Sequence, residues 1–414
     1  MLKFAPVNEQ MDAIRRDALE IIPEDALARK LERSCGTGEP LRVKQGFDPT
    51  RPDLHIGHAV SIRKLRTFQE LGHEVIFVVG DYTARVGDPS GRSETRPRLT
   101  PAEISSNAAT YAEQVGRILD VTKVRVEFNS SWLAPLDLAK LLELTATYTV
   151  ARMLERDDFA KRYAQQRPIS ILEFMYPLMQ AYDSVALNAD VELGGTDQKF
   201  NLLVGRTVQE RYGQEPQVCL IMPLLRGTDG ELKMSKSYDN YIGISEPPTE
   251  QFGKTMSAPD SLLEEWTRLA GGLDGADLQQ ALALISNDPY RAKRALARRV
   301  VATYHGEDEA AKAEAHFDRI FREHATPDTV PEIEVVLGDD RLRSDGDTVF
   351  LAGLLVIAGL ASSNTEAARL LEQGSVQVDE ARVNDRAARV RARAGTSMLL
   401  QRGKRHFVRV LFGG

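Results

Sequence analysis

Two short runs carry side chains suited to handling phosphate. His55 and His58 stand three residues apart in GFDPTRPDLHIGH, and Lys233 and Lys236 stand three apart in GTDGELKMSKSYDN (227 to 240), padded by Ser235 and Ser237. A helix opening offers free backbone N–H groups and the positive end of a dipole, and imidazole N–H groups there can donate to charge developing on phosphate. Neither a cysteine nor a helical H-E-x-x-H accompanies the histidines, which favours phosphate contact over a metal site. Taken singly, a histidine is more often structural and a lysine loop more often a solvated face, so the joint pattern has to decide. Competing phosphate motifs fail on spacing. The GKT at 253 to 255 would need glycine where Pro248 stands, and GTGEPL at 36 to 41 ends in Leu41. A third set, Tyr176, Gln180 and Asp183, follows a helical four-then-three spacing, so these side chains share a face and can converge on a small polar ligand.

The elements that must position these groups form an α/β pattern. LRVKQGF (41 to 47) and HEVIFVVGD (73 to 81) are strand candidates, and helical apolar spacing from His58 to Leu71 ends at Gly72 between them. Strand, helix, strand in so short a span is the βαβ unit of a doubly wound parallel sheet, whose ligands sit beyond the strand C-termini. A largely helical stretch (101 to 185) precedes a strand at 190 to 195, a helix at 197 to 212 and a strand at 217 to 225. The lysine loop follows that last strand, on the edge where the histidines lie. The pattern then turns helical, and a Pro-, Asp- and Gly-rich linker leads to a compact end module. The expected domains are 1–245, an α/β catalytic domain with a helical insertion; 246–330, α-helical; 331–347, a linker; and 348–414, a small α+β module.

A chain of 414 residues exceeds a single-core domain. Its 42% hydrophobic and 27% charged content is that of an ordinary globular protein. Cys35 and Cys219 stand far apart and outside any C-x-x-C, which fits a reducing compartment better than a disulfide framework or thiolate zinc. The N-terminus lacks a secretory apolar run and no segment is apolar enough to span a bilayer, so a cytoplasmic, unanchored protein is expected. Charge is unevenly spread. From Arg382 onward nine cations face only Asp385, a net +8, which leaves −15 on the rest of a chain whose total is −7. Such a tail is either a solvated surface or a contact for nucleic-acid phosphates.

HIGH at 55 to 58 and KMSKS at 233 to 237 match, letter for letter and in order, the two signatures of class I aminoacyl-tRNA synthetases. Four further blocks, GFDPT (46 to 50), VGDPSGR (86 to 92), YPLMQAYD (176 to 183) and ELGGTDQ (192 to 198), resemble the bacterial tyrosyl-tRNA synthetases, and the likeness spans essentially the whole chain. The resemblance implies a Rossmann-like catalytic domain that activates tyrosine with ATP and Mg²⁺, holds no metal of its own, and charges tRNA(Tyr). It gives Tyr176, Gln180 and Asp88 the substrate ammonium and Asp183 the phenolic hydroxyl. An aspartate held for that hydroxyl disfavours phenylalanine, which would leave it buried without a partner. Asp48, Thr50, Asp197 and Gln198 would surround the adenylate, with Gln198 also beside the tyrosine, and Gly46 and Gly195 would let backbone approach the nucleotide. Arg92 and Arg96 would lie in a mobile loop over the pyrophosphate. The reading thus brings two cationic clusters, imidazoles and ammonium groups, to one nucleotide. One departure stands out: many relatives place a tyrosine two residues before the glycine of GFDPT, to share the phenol, and this chain has Lys44. The end module resembles the RNA-binding module of a ribosomal small-subunit protein, which would make Arg386, Arg389, Arg391, Arg393, Arg402, Lys404 and Arg405 contacts for tRNA phosphates. A homodimer without membrane attachment is implied. Tryptophan activation on the same fold, or an RNA-binding relative without catalysis, are the alternatives.

Overall fold

The computed structural model describes residues 4–90, 100–321, 330–337, 342, 344–345, 347–403 and 406–413. Arg92, Arg96, Lys404 and Arg405 lie outside the described residues. The chain divides into two compact units, residues 1–310 and 311–414.

The first unit is built on six strands: β1 (Glu20–Ile22), β2 (Arg42–Phe47), β3 (Glu74–Val79), β4 (Val124–Phe128), β5 (Val191–Gly195) and β6 (Val218–Met222). Their order is β1-β6-β5-β2-β3-β4, parallel except for β1, which pairs antiparallel with β6 at one edge. The central strands read as near-continuous apolar runs because helices cover both faces; β3 buries Val75 through Val79. Helix α1 (Ile56–Glu70) turns Ala59, Ile62, Leu65 and Phe68 into the core, and Gly72, at φ +89°, supplies the left-handed turn into β3. In register, Lys44 on β2 stands opposite Ile76 on β3 and Glu192 on β5.

The stretch from 101 to 185 is not simply helical: β4 interrupts it. Its sequence, VRVEF, alternates apolar and charged residues as an exposed edge strand does, with Val126 and Phe128 partly open to solvent. The antiparallel β1, three residues long, is too short for periodicity to reveal. Helices Pro248–Ser257, Leu263–Leu269, Gly275–Asn287 and Pro289–His305 follow the sheet. Leu262, Leu263, Trp266, Leu296 and Val300 join the same apolar cluster as α1 and the strands.

The second unit is α+β. Strands β7 (Glu332–Val336), β8 (Ser344–Asp345), β9 (Thr348–Phe350), β10 (Val376–Val378), β11 (Ala381–Val383), β12 (Arg389–Arg391), β13 (Ser397–Arg402) and β14 (His406–Gly413) form two sheets, β11-β10-β13-β14-β7 and β12-β9-β8. Leu354, Leu355, Leu371, Val376, Leu400 and Val410 form its core, fed by helices Leu351–Ile357 and Asn364–Glu372. Among the described residues no helix is long and apolar enough to cross a membrane.

Candidate active site

Beyond the C-terminal ends of β2, β3, β5 and β6 lies a cavity of about 750 Å³. It gathers fourteen residues singled out from sequence: Gly46, Asp48, Thr50, His55, His58, Asp88, Tyr176, Gln180, Asp183, Gly195, Asp197, Gln198, Lys233 and Lys236. Two runs nearly 180 residues apart meet because backbone joins them. Ile56 N–H donates to Ile242 O (3.0 Å) and Ile244 N–H to Leu54 O (2.8 Å), pinning the chain just past the lysine loop to the chain entering α1. Gly57 completes the junction: a Cβ there would lie 3.0 Å from His55 Nδ1 and 3.5 Å from Met234 Cβ.

The histidine rings stack with centroids 3.7 Å apart, and His55 N–H donates to His58 Nδ1 (3.2 Å). Burial, reinforced by Lys236 and Lys233, pushes His58 down to about 3. His55 is held well below the ordinary histidine value by burial, then by His58 and the two lysines. The expectation of a second cationic cluster is therefore corrected. Both imidazoles are neutral near pH 7, and they can offer N–H groups but no net charge.

The loop itself is braced by Asn240. Its side chain receives Ser235 N–H (2.8 Å) and donates to Asp229 (2.7 Å) and Lys233 O (3.2 Å), while Thr228 N–H donates to its carbonyl (2.9 Å). Gly227 packs so tightly against Asn240 that a Cβ would lie 2.6 Å from the Asn240 carbonyl oxygen. The two lysines are not equivalent. Lys233 Nζ is held by Asp197 at 2.6 Å. Lys236 is lowered to about 8, chiefly by burial, with Asp53 opposing and Arg51 assisting, so its charge is poised for an anion.

The cavity is also lined by hydrogen-bonded acids. Asp48 accepts from Thr83 Oγ (2.7 Å) and Tyr176 OH (3.0 Å). Buried Asp183 accepts from Trp132 Nε1–H (2.8 Å) and Asn129 Nδ2–H (3.4 Å). Burial raises it to about 7 against the pull of Lys44. Lys44 forms an ion pair with Glu192 at 2.8 Å, both side chains 1% exposed. Glu192 also accepts from Gln180 Nε2 (3.1 Å), Ser184 Oγ (3.3 Å) and Gln217 Nε2. Lys44 is thus neutralised across the sheet, and Asp183 takes its hydrogen bonds from Trp132 and Asn129. Sequence reasoning misses Trp132 and Asn129 because both follow β4, a short strand within a largely helical stretch.

Asp88 Oδ1 accepts from Ser90 N–H (2.8 Å) and Ser90 Oγ (2.6 Å), and its Oδ2 accepts from Gln198 Nε2 (2.8 Å). The C-terminal arginines belong to the second unit. Arg386 pairs with Glu372 (3.4 Å), Arg393 with Asp347 (2.8 Å) and Arg402 with Glu366 (3.2 Å), and Arg389 lies over the Phe350 ring at 4.2 Å. Arg391 is exposed on β12. Much of the tail's positive charge is therefore balanced within its own module. No group of three or more His, Cys, Asp or Glu side chains among the described residues is placed to hold a metal ion.

Comparison with known proteins agrees with this geometry. The chain is 53% identical over 407 residues to the tyrosine–tRNA ligase of Moorella thermoacetica, covering 98% of this chain and 96% of that one. It is 52% identical over 410 residues to the tyrosine–tRNA ligase of Geobacter sulfurreducens, covering 98% and 99%. The crystal structure of a tyrosyl-tRNA synthetase from Archaeoglobus fulgidus, complexed with L-tyrosine, shares the fold with a TM-score of 0.61 at 24% identity, covering 75% of this chain and 100% of that one. The family described as tRNA synthetases class I (W and Y) matches residues 37–322. A match of that extent, over a unit whose histidine helix and lysine loop face one cavity, places the chain among the class I tRNA synthetases of the W and Y group.

Proposed function

We propose that this protein is a tyrosine–tRNA ligase, which activates tyrosine with ATP and charges tRNA(Tyr). The observation that carries the reading is one cavity lined by neutral His55 and His58, the lysine loop and the buried, hydrogen-bonded Asp183. Tyrosine lies with its phenol toward Asp183 and its ammonium toward Asp88, Tyr176 and Gln180, whose buried Oε1 has no partner among the described residues. Its carboxylate oxygen forms a bond to the α-phosphorus of ATP while the bond to pyrophosphate breaks. Lys233, Lys236 and the two imidazole N–H groups act mainly by stabilising charge on the departing phosphates. Mg²⁺ enters with ATP as part of the substrate and screens the same phosphates. A ribose hydroxyl of the terminal tRNA adenosine then attacks the acyl carbon, and AMP leaves. Gly46 and Gly195 flank the nucleotide, with Asp48, Thr50, Asp197 and Gln198 around it; Arg92 and Arg96 cover the pyrophosphate.

The helices of 246–330 and the module 348–414 are assigned to tRNA. The exposed Arg391 supports that role, and Arg386, Arg389, Arg393, Arg402, Lys404 and Arg405 complete the proposed contact. A cytoplasmic homodimer is proposed as well, supported by exposed Leu138 and Leu142 on one helix face and by exposed Val150 and Ile171. The test of substrate is exchange of labelled pyrophosphate into ATP across all amino acids. Exchange with tyrosine alone is expected. Exchange with tryptophan in its place rejects the assignment, and exchange with none supports a non-catalytic relative.

A further inference from the structure

Arg156, which no motif singles out, lies buried behind Asp88 with its side chain 5% exposed. Its guanidinium forks. Nη2 donates to Ser90 Oγ (2.7 Å), the hydroxyl that holds Asp88 Oδ1, and Nη1 donates to Asn201 Oδ1 (3.2 Å). Asn201 Nδ2 in turn donates to Gln198 Oε1 (3.0 Å), and Gln198 Nε2 donates to Asp88 Oδ2. The five side chains close a ring, Arg156 to Ser90 to Asp88 to Gln198 to Asn201 and back, in which each carboxylate oxygen of Asp88 is fixed through a separate arm of one planar group. Packing sets the plane, with the guanidinium 5.0 Å from the Phe159 ring centroid and 5.9 Å from that of Phe200. Lysine, a point donor, cannot span both arms.

Charge completes the argument. A cation 3.6 Å from Asp88 would compete with a substrate ammonium, but Asp158 binds Arg156 Nε at 2.7 Å and cancels it. Glu173, the next acid, is already taken by Arg162 at 3.0 Å. What this ring presents to the cavity is the negative charge of Asp88, oriented and not quenched.

We infer that Arg156, through the ring with Ser90, Gln198 and Asn201, is a positioning residue for the subsite that binds the amino group of the substrate. The inference rests on the proposal that Asp88 receives the tyrosine ammonium. It gives the helical insertion between β4 and β5 a share in amino-acid recognition.

The test compares two ligands, tyrosine and 3-(4-hydroxyphenyl)propanoate, which keeps the phenol and carboxylate and lacks the amine. Dissociation constants are measured by equilibrium dialysis for the intact protein and for Arg156→Lys, Ser90→Ala, the double variant and Asp88→Asn. Arg156→Lys and Ser90→Ala are each expected to weaken tyrosine about tenfold while moving the deaminated ligand less than about twofold. The double variant adds less than about twofold to either, because both cut the same ring. Equal losses for the two ligands, or losses that multiply in the double variant, overturn the inference. Ser90→Ala removes a single hydroxyl and gives the same comparison should Arg156→Lys fail to fold. Asp88→Asn separates the two readings: if it does not selectively weaken tyrosine, the ammonium assignment itself is wrong, whatever Arg156 does.

Discussion

Replacing Lys44 with methionine removes one half of a buried ion pair without changing the length of the side chain much. In the native chain Glu192 accepts from Lys44, Gln180, Ser184 and Gln217 and is 1% exposed. Lys44→Met leaves a carboxylate with only neutral donors in the middle of the sheet, and breaking such a pair from one side costs about 3–5 kcal/mol. The double variant Lys44→Met/Glu192→Gln removes the stranded charge and is expected to recover most of that loss, since a buried pair and its neutral replacement differ little. Guanidinium unfolding followed by tryptophan fluorescence is the assay of choice. Both tryptophans, Trp132 and Trp266, lie in the first unit, so the signal reports the transition that contains the pair. Trp132 also donates to Asp183, so the same probe senses the surroundings of that carboxyl group. If Lys44→Met proves as stable as the double variant, the pair does not hold the sheet and the reasoning fails.

Three further outcomes are expected. Lys236 is lowered to about 8, so it is charged below that pH and neutral above. The rate of adenylate formation should therefore fall as pH rises through about 8 with tyrosine affinity unchanged, and Lys236→Arg should carry the plateau higher. His73 is lowered to about 4, mainly by burial, with Nδ1 accepting from Leu41 N–H (3.2 Å) and Nε2 bonded to Gln10 (2.8 Å). Because the folded state keeps it neutral, its contribution is complete above about 6.5 and is lost as pH falls toward 4, to the extent of about 3 kcal/mol; urea midpoints of the wild type and His73→Gln should converge across that window. Gly227→Ala forces a Cβ against Asn240 and displaces the lysine loop. Pyrophosphate exchange should drop at least about tenfold with little change in tyrosine Kd, and an equal loss in both would show that the loop does not act on the leaving group.

The frame of the site was legible because its strands are apolar runs that must be buried on both faces, and because His55, His58, Lys233 and Lys236 follow them directly. The acidic lining was legible only in part. Tyr176, Gln180 and Asp183 announce themselves by helical spacing, whereas Asn129 and Trp132 depend on an edge strand whose short alternating VRVEF is masked by the helical pattern on either side. Arg156 sits in ERDD, a charged run that looks like a solvated helix start, and only three-dimensional packing shows it buried between Asp158 and Ser90. The pairing of Lys44 with Glu192 is a matter of strand register, fixed across 148 positions of sequence and invisible to local pattern. The neutrality of the histidines is likewise a product of depth, which spacing does not encode.

The backbone clasp between Leu54–Ile56 and Ile242–Ile244 gives the lysine loop one fixed mooring. The seven residues from Lys236 to Ile242 then act as a tether of set length, and one inserted residue there would move the ammonium group by up to about 3.3 Å, past any phosphate it was aimed at. Insertions after Lys236 are therefore ruinous, and changes at Gly227 or Asp229 disturb the same loop through Asn240.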